Sequence, residues 1–220
     1  MSNARTMNRF RRLPKPGAPD IPERPRRKTF SLPICMLLAL PGAANAHVVS
    51  REAVGFLSGL KHPVSGVDHI IAMLAVGLWG AQLGSPAIWL LPIIFPLVMA
   101  YAGFLGLIGV TLPGTEIGIA LSGVCLGACV LAELRPPLWG AGLLVGTFGL
   151  FHGYAHGVEL RPGEDALLYS IGFVVATGLL HATGIGIGVV HRWEWGRQGL
   201  RGAGMLILCG GLYFMWTAVK

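Results

Sequence analysis

The feature that most constrains the fold is a series of six long apolar segments separated by short polar breaks. Each segment approaches or exceeds the ~20 residues that an α-helix needs to cross a bilayer, and none shows the strict alternation of a barrel strand. A helix pairs its own backbone polar groups, as lipid requires. We therefore predict an all-α fold, a polytopic membrane helical bundle with six transmembrane helices. The predicted spans are residues 62–82, 87–110, 116–134, 138–159, 166–190 and 202–219.

The composition and the position of the charges agree with a lipid environment. Only 12% of the residues are charged, compared with about 25% in soluble domains. The net charge of +7 lies entirely in residues 1–46, because residues 47–220 hold equal numbers of basic and acidic residues. The basic surplus therefore does not indicate a nucleic-acid-binding surface, and no nucleic-acid partner is predicted.

Residues 1–46 have the order of a secretory signal peptide. A basic stretch precedes an apolar run that is too short to span a bilayer, and Ala44-Asn45-Ala46 then supplies a small-residue cleavage motif. We predict cleavage after Ala46, so that residues 47–220 form one six-helix transmembrane domain. Its mature N-terminus then lies in the periplasm, and the protein is a multi-pass protein of the bacterial inner membrane. An uncleaved N-terminal anchor is the alternative.

Two clusters of ionisable residues lie inside the predicted spans, where each such residue costs at least a few kcal/mol and marks a candidate functional site. One cluster opens the first span and the other closes the fourth. Because three crossings separate these points, both clusters are expected near the same membrane face, at a depth of roughly 10 Å. They can therefore form one site. Its candidate metal ligands are His62, Asp68, His69, His152, His156 and Glu159.

The second cluster has the spacing of a two-histidine chelate. His152 and His156 are four residues apart, so they stack on one helix face, and Glu159 falls within roughly 60° of both. Imidazole suits nickel, zinc, copper and iron, so the cluster does not select its metal by itself. The alternative is that these polar residues only hold the helices together.

The first cluster is harder to place around one ion. His62 and His69 share a helix face but lie about 10 Å apart along the axis, whereas metal–nitrogen bonds are about 2 Å long. Either Pro63 and Gly66 distort this end of the helix, or the two histidines are successive stations. Asp68 is expected to orient a histidine or to neutralise charge.

Two further histidines are candidate ligands. His181 lies about 15 residues into the fifth span, where it is either an inner station for the ion or a histidine hydrogen-bonded within the bundle. His47 would become the N-terminal residue after cleavage, and its amine and imidazole together would form a chelator. The alternative for His47 is a terminus with no role.

These motifs resemble those of the HupE/UreJ family of nickel, or cobalt, permeases. The family's H-x5-D-H motif matches residues 62–69, and its F-H-G-x-A-H-G-x-E motif matches residues 151–159. The stretch 178–184 around His181 and the Ala46-His47 start are also similar, and the resemblance covers residues 47–220. It implies nickel uptake for hydrogenase or urease maturation. The long basic segment before the signal departs from the family pattern and leaves the start site open.

We therefore predict a secondary permease that carries Ni²⁺, or Co²⁺, across the inner membrane into the cytoplasm, and not an enzyme. The expected partners are this divalent transition-metal ion, as cargo, and the lipid bilayer, with no prosthetic group. Two alternatives are open. In one, the same ligands activate water in an intramembrane metal-dependent hydrolase. In the other, His69 and His152 are axial ligands of a bis-histidine haem membrane protein.

Overall fold

The computed structural model describes residues 51–160 and 163–220, and within these ranges it is helical and contains no strand. The all-α class is therefore confirmed. Short 3₁₀ helices, His62–Val64 and Val189–Arg192, precede the second and the last of the α-helices. The α-helices are α1 (Arg51–Lys61), α2 (Val67–Leu83), α3 (Ala87–Leu107), α4 (Thr115–Ala132), α5 (Leu138–Glu159), α6 (Ala166–Gly188) and α7 (Glu194–Ala218).

Helices α2 to α7 correspond to the six predicted spans, and the multi-pass membrane class is confirmed. In the described ranges, α3, α4, α6 and α7 are long and apolar enough to cross a bilayer, and α1 with α2 counts as a fifth span if this bent pair crosses as one. Helix α5 is also 22 residues long, but its histidines and glycines lower its hydropathy. The count of six spans stays a prediction, as do the signal peptide and the domain boundary after Ala46, which lie outside the described residues.

The first span begins later than predicted, at Val67 rather than at His62. Pro63 lacks the N–H that would continue a helix, and Gly66 has an extended backbone (φ −104°, ψ 123°). These two residues separate α2 from α1, a helix that the sequence did not predict. The two helices are bent by 79° relative to each other.

The last helix begins earlier than predicted, at Glu194, so most of the expected charged loop is helical. The reason is that Arg197 has partners: its guanidinium contacts the carboxylate of Glu133 at 3.1 Å and that of Glu194 at 3.8 Å. Glu133 follows the last residue of α4, so the ion pair ties the end of α4 to the start of α7.

Glycines determine how closely the helices pack and in which direction they run. A Cβ at Gly153 would collide with the carbonyl of Met99, so α5 fits against α3 only because this position has no side chain. The contacts between α3 and α5 rise together in residue number, so these helices are parallel. These contacts are Phe95 with Gly149, Met99 with Gly153 and Gly103 with Gly157.

The other two close pairs follow the same principle. Helices α2 and α6 are parallel, since Leu74 contacts Gly184 and Leu78 contacts Gly188. Helices α4 and α7 are antiparallel, with contacts between residues 123 and 211, 127 and 208, and 131 and 204. Helices that cross a bilayer in alternating directions would show these relative directions.

Helices α2, α3, α5 and α6 enclose the buried centre of the bundle, and the α4–α7 pair packs beside α2. The buried core includes Trp79, whose Nε1–H donates to the carbonyl of Leu134 at 2.9 Å. The outer surface carries large exposed apolar side chains such as Leu97, Leu179 and Leu206. Extensive exposed apolar surface of this kind is expected of a chain that lies in lipid.

Candidate metal site

The structure brings the two predicted polar clusters into contact at the start of α2 and the end of α5. The ring centroid of His69 lies 4.9 Å from that of His152 and 4.6 Å from that of His156. The His62 ring lies 4.6 Å from the same His156 ring. His156 is therefore the residue on which both parts of the cluster meet.

An outer group consists of His62, His156 and Glu159. The Oε2 atom of Glu159 lies 3.1 Å from His62 Nε2 and 3.8 Å from His156 Nδ1, and all three potential ligand atoms lie within 4.8 Å of one another. Ligand atoms around one ion with bonds of about 2.1 Å lie at most about 4.2 Å apart. Small side-chain movements would therefore let one cation contact all three.

The break between α1 and α2 explains how His62 reaches this position. An uninterrupted helix would hold His62 about 10 Å along the axis from His69. Because the chain bends at residues 62–66, the His62 ring instead packs against the rings of His156 and Tyr169. The Tyr169 ring centroid lies 5.7 Å from that of His62. The distortion at Pro63 and Gly66 that the sequence left open is therefore found.

An inner group consists of His69 and His152, each held by its Nδ1 atom. Nδ1–H of His69 donates to the carboxylate of Asp68 at 3.0 Å, and Nδ1–H of His152 donates to the carbonyl of Phe148 at 2.9 Å. These partners assign the proton to Nδ1 and leave the Nε2 lone pairs free. A carboxylate or carbonyl behind a histidine is the usual way to orient a metal ligand.

The free nitrogens of this cluster are buried. Nε2 of His69, Nε2 of His152 and both ring nitrogens of His156 have no hydrogen-bond partner and no solvent contact. A buried polar atom without a partner costs about 1–3 kcal/mol. A purely structural role would not account for several such atoms in one histidine cluster, whereas bound cations would give them partners.

The local sequence around α5 explains why the histidines face inward. Gly149, Gly153 and Gly157 form a stripe that lies against α3. His152 and His156 each precede a glycine by one residue, so their side chains lie about 100° around the helix from that stripe. They therefore point toward α2 and α6, where Phe173 closes the site at 4.1 Å from the His156 ring centroid.

His181 lies deeper in the bundle and does not join the cluster directly. His181 is 1% exposed, and the Phe95 ring packs against both His181 and His152, with centroid distances of 5.3 and 5.4 Å. Sequence reasoning missed Phe95, because nothing distinguishes it from the other apolar residues of α3. His47, the remaining predicted ligand, lies outside the described residues.

Sequence reasoning also missed the residues of α6 that face the site. Tyr169, Phe173 and Thr177 precede His181 at steps of four, and all of them are buried. This spacing was a usable signal, since residues four apart share a helix face. Only His181 was predicted as a site residue in this helix, because apolar and hydroxyl side chains are common in membrane spans.

The fold and the site together define a multi-pass helical membrane protein with a buried histidine–carboxylate cluster. The chain belongs to the HupE/UreJ family, because the family model described as "HupE / UreJ protein" matches residues 35–214. This family comprises hydrogenase and urease accessory proteins for nickel or cobalt transport.

A curated relative agrees with this assignment. The chain is 45% identical over 179 residues to Protein HupE of Rhizobium leguminosarum bv. viciae, and the alignment covers 77% of this chain and 93% of that protein. No solved structure matches the chain. The family resemblance of the motifs is thereby confirmed, and it favours transport over the hydrolase and haem alternatives.

Proposed function

We propose that this chain is a secondary permease that carries Ni²⁺, or Co²⁺, across the bacterial inner membrane into the cytoplasm, where the ion supplies hydrogenase or urease maturation. The observation that carries the proposal is the contact of His156 with both His62 and His69. Through this contact, ligands from two separate helices and from the turn before α2 surround one small volume.

The outer group is suited to capture an ion from water. The side chains of His62 and Glu159 are 30% and 54% exposed, whereas His156 beside them is buried. The ion would displace the proton that His62 and Glu159 share, and the carboxylate would offset part of its charge. Two imidazoles and a carboxylate suit nickel and cobalt but do not exclude zinc.

The inner group is suited to receive the ion. Since His156 touches the rings of both His62 and His69, it can stay bound while the other ligands exchange. Asp68 orients His69, and the Phe148 carbonyl orients His152, so both Nε2 atoms keep a free lone pair for an ion. A secondary carrier needs such stepwise exchange, because binding must be strong enough for entry and weak enough for release.

The topology in this proposal has six spans, with α5 as the fourth. The parallel α2–α6 and α3–α5 pairs and the antiparallel α4–α7 pair support it, as does the basic 3₁₀ turn at Val189–Arg192 on the proposed cytoplasmic side. A signal peptide cleaved after Ala46 would leave the mature N-terminus, and the candidate ligand His47, in the periplasm. The site would then open toward the periplasm.

Radioactive Ni²⁺ uptake into cells that produce the chain tests this function. His156→Ala should lower uptake to the level of cells without the chain, because it removes the one ligand shared by both groups. His191→Ala is the matched control, since that histidine lies outside the cluster and its Nδ1–H donates to the Gly188 carbonyl. Unchanged uptake by the His156→Ala variant at equal protein abundance would contradict the proposal.

A further inference from the structure

His181 is a buried histidine that the histidine–carboxylate cluster does not contact. Both of its ring nitrogens lack a hydrogen-bond partner and solvent. The Phe95 ring packs against both His181 and His152, and in the part of the chain that the structure describes His181 makes no ring contact with the cluster histidines. Its surroundings in α6 and α3 therefore need an explanation of their own.

The second observation is a carbonyl in α3 that has no helical N–H donor. In a helix, the carbonyl of residue 92 would accept from the N–H of residue 96, but Pro96 has no N–H. The oxygen of Pro92 therefore lacks its intrahelical donor, and Phe95, in the same turn of α3, packs against the His181 ring. A backbone oxygen left free by a proline inside a span must be satisfied by a neighbouring group.

The third observation is the hydroxyl of Thr177, one turn before His181 in α6. Its side chain is fully buried, and Oγ1 has no partner. Serine and threonine hydroxyls in helices usually bond back to a carbonyl one turn earlier, as Ser170 does to Ala166 and Thr183 does to Leu179 in the same helix. The Thr177 hydroxyl makes no such hydrogen bond, and Thr177 lies on the same face of α6 as His181.

The stripe of α6 that carries these two residues also follows the proposed path of the ion. Tyr169 faces His62 and Phe173 faces His156, while His181 faces Phe95. Thr177 lies between Phe173 and His181 on the same face. The buried side of α6 therefore runs from the outer group toward the cytoplasmic half of the bundle.

We propose that His181, Thr177 and the Pro92 carbonyl form a further station, deeper than the outer and inner groups, for a partly hydrated divalent transition-metal ion. This inference rests on the proposed transport function. A nitrogen of His181 binds the ion, while the hydroxyl and the carbonyl bind the ion or its water.

One imidazole and two neutral oxygens form a weaker site than the outer group, which has two imidazoles and one carboxylate. The ion therefore moves from a strong capture site to a weak one, from which it leaves for the cytoplasm.

Equilibrium binding of ⁶³Ni²⁺ to the purified full-length protein in detergent tests this station, together with uptake into cells. For His181→Gln, which keeps a polar side chain of similar size, we expect uptake to fall at least about tenfold. Tight binding at the outer group should persist, and a second, weaker binding event should disappear. For His156→Ala, the tight binding should be lost.

Thr177→Val gives a second and milder variant, because valine matches threonine in shape and removes only the hydroxyl. We expect uptake to fall several-fold, whereas Thr183→Val, whose hydroxyl bonds to its own helix, should leave uptake unchanged. If His181→Gln and Thr177→Val both transport and bind like the wild type, this further station does not exist. If the wild-type protein neither binds nor transports Ni²⁺, the proposed function itself fails.

Discussion

His62 Nε2 lies 3.1 Å from Glu159 Oε2, although 97 residues separate the two along the chain. His62 stands in the turn before α2, and Glu159 is the last residue of α5. Both are partly exposed beside the buried His156. The pair therefore forms the exposed rim of the histidine cluster, where, in the proposed function, an ion would first meet its ligands.

Removing the charge of Glu159 should weaken capture. Glu159→Gln keeps the side chain's shape but loses the anionic oxygen that faces His62 and His156, so we expect Ni²⁺ affinity to fall about 10–100-fold. Equilibrium dialysis with the purified protein measures this change. Glu194→Gln is the control, since that exposed carboxylate pairs only loosely with Arg197. Equal affinities of the two variants would remove Glu159 from the site.

Asp68 should act through His69. Asp68→Asn keeps the size of the side chain but replaces the carboxylate that accepts from His69 Nδ1–H with an amide that can also donate, so the ring loses its fixed orientation. We expect about a 10-fold or greater loss of Ni²⁺ affinity. Asp165→Asn serves as a control, because Asp165 caps the N-terminus of α6 and asparagine is also a good cap. A normal affinity of the Asp68→Asn variant would show that the orienting contact is dispensable.

Packing of α5 against α3 should depend on Gly153. Gly153→Ala places a methyl group against the Met99 carbonyl, and overpacking of this kind costs about 1–3 kcal/mol. We expect a lower thermal midpoint in detergent and weaker Ni²⁺ binding, because His152 moves with α5. Gly199→Ala in α7 meets no neighbouring atom and should leave both properties unchanged or slightly raise stability. Equal midpoints for the two variants would mean that close α3–α5 contact is not required.

The side of the membrane on which Lys220 lies distinguishes six spans from five. With a periplasmic N-terminus and six spans, Lys220 returns to the periplasm, so alkaline phosphatase fused after it should be active. Green fluorescent protein fused after Trp193, in the turn before α7, should fluoresce in the cytoplasm. Fluorescence from a fusion after Lys220 would instead mean that one helix, with α5 the first candidate, does not cross.

The sequence predicted the bounds of a helix correctly where the residues that end its apolar run were unambiguous. Helix α5 matches its predicted bounds at both ends, because Pro136-Pro137 precede it and Glu159 ends its apolar run. The start of the first span was wrong because a proline near a polar residue is also typical of a first helical turn. Here Pro63 instead belongs to a 3₁₀ turn after another helix, α1, which is too short and too polar to be recognised as a span.

The start of α7 was wrong for a non-local reason. Charged residues between apolar segments usually indicate a loop, but Arg197 finds Glu133 at the end of α4, 64 residues away. That contact depends on the antiparallel packing of α4 and α7. Hydropathy along the chain carries no information about it.

By itself, the sequence determined an all-helical chain in lipid and the stacking of His152 over His156, because hydropathy and helical periodicity depend only on neighbouring residues. Only the tertiary structure decided that His62 meets Glu159, that His156 touches both groups, and that Phe95 contacts both His152 and His181. These relationships depend on which face of each helix packs against which. That choice is made by glycine stripes such as the one through Gly153, whose partners lie on another helix and at another place in the sequence.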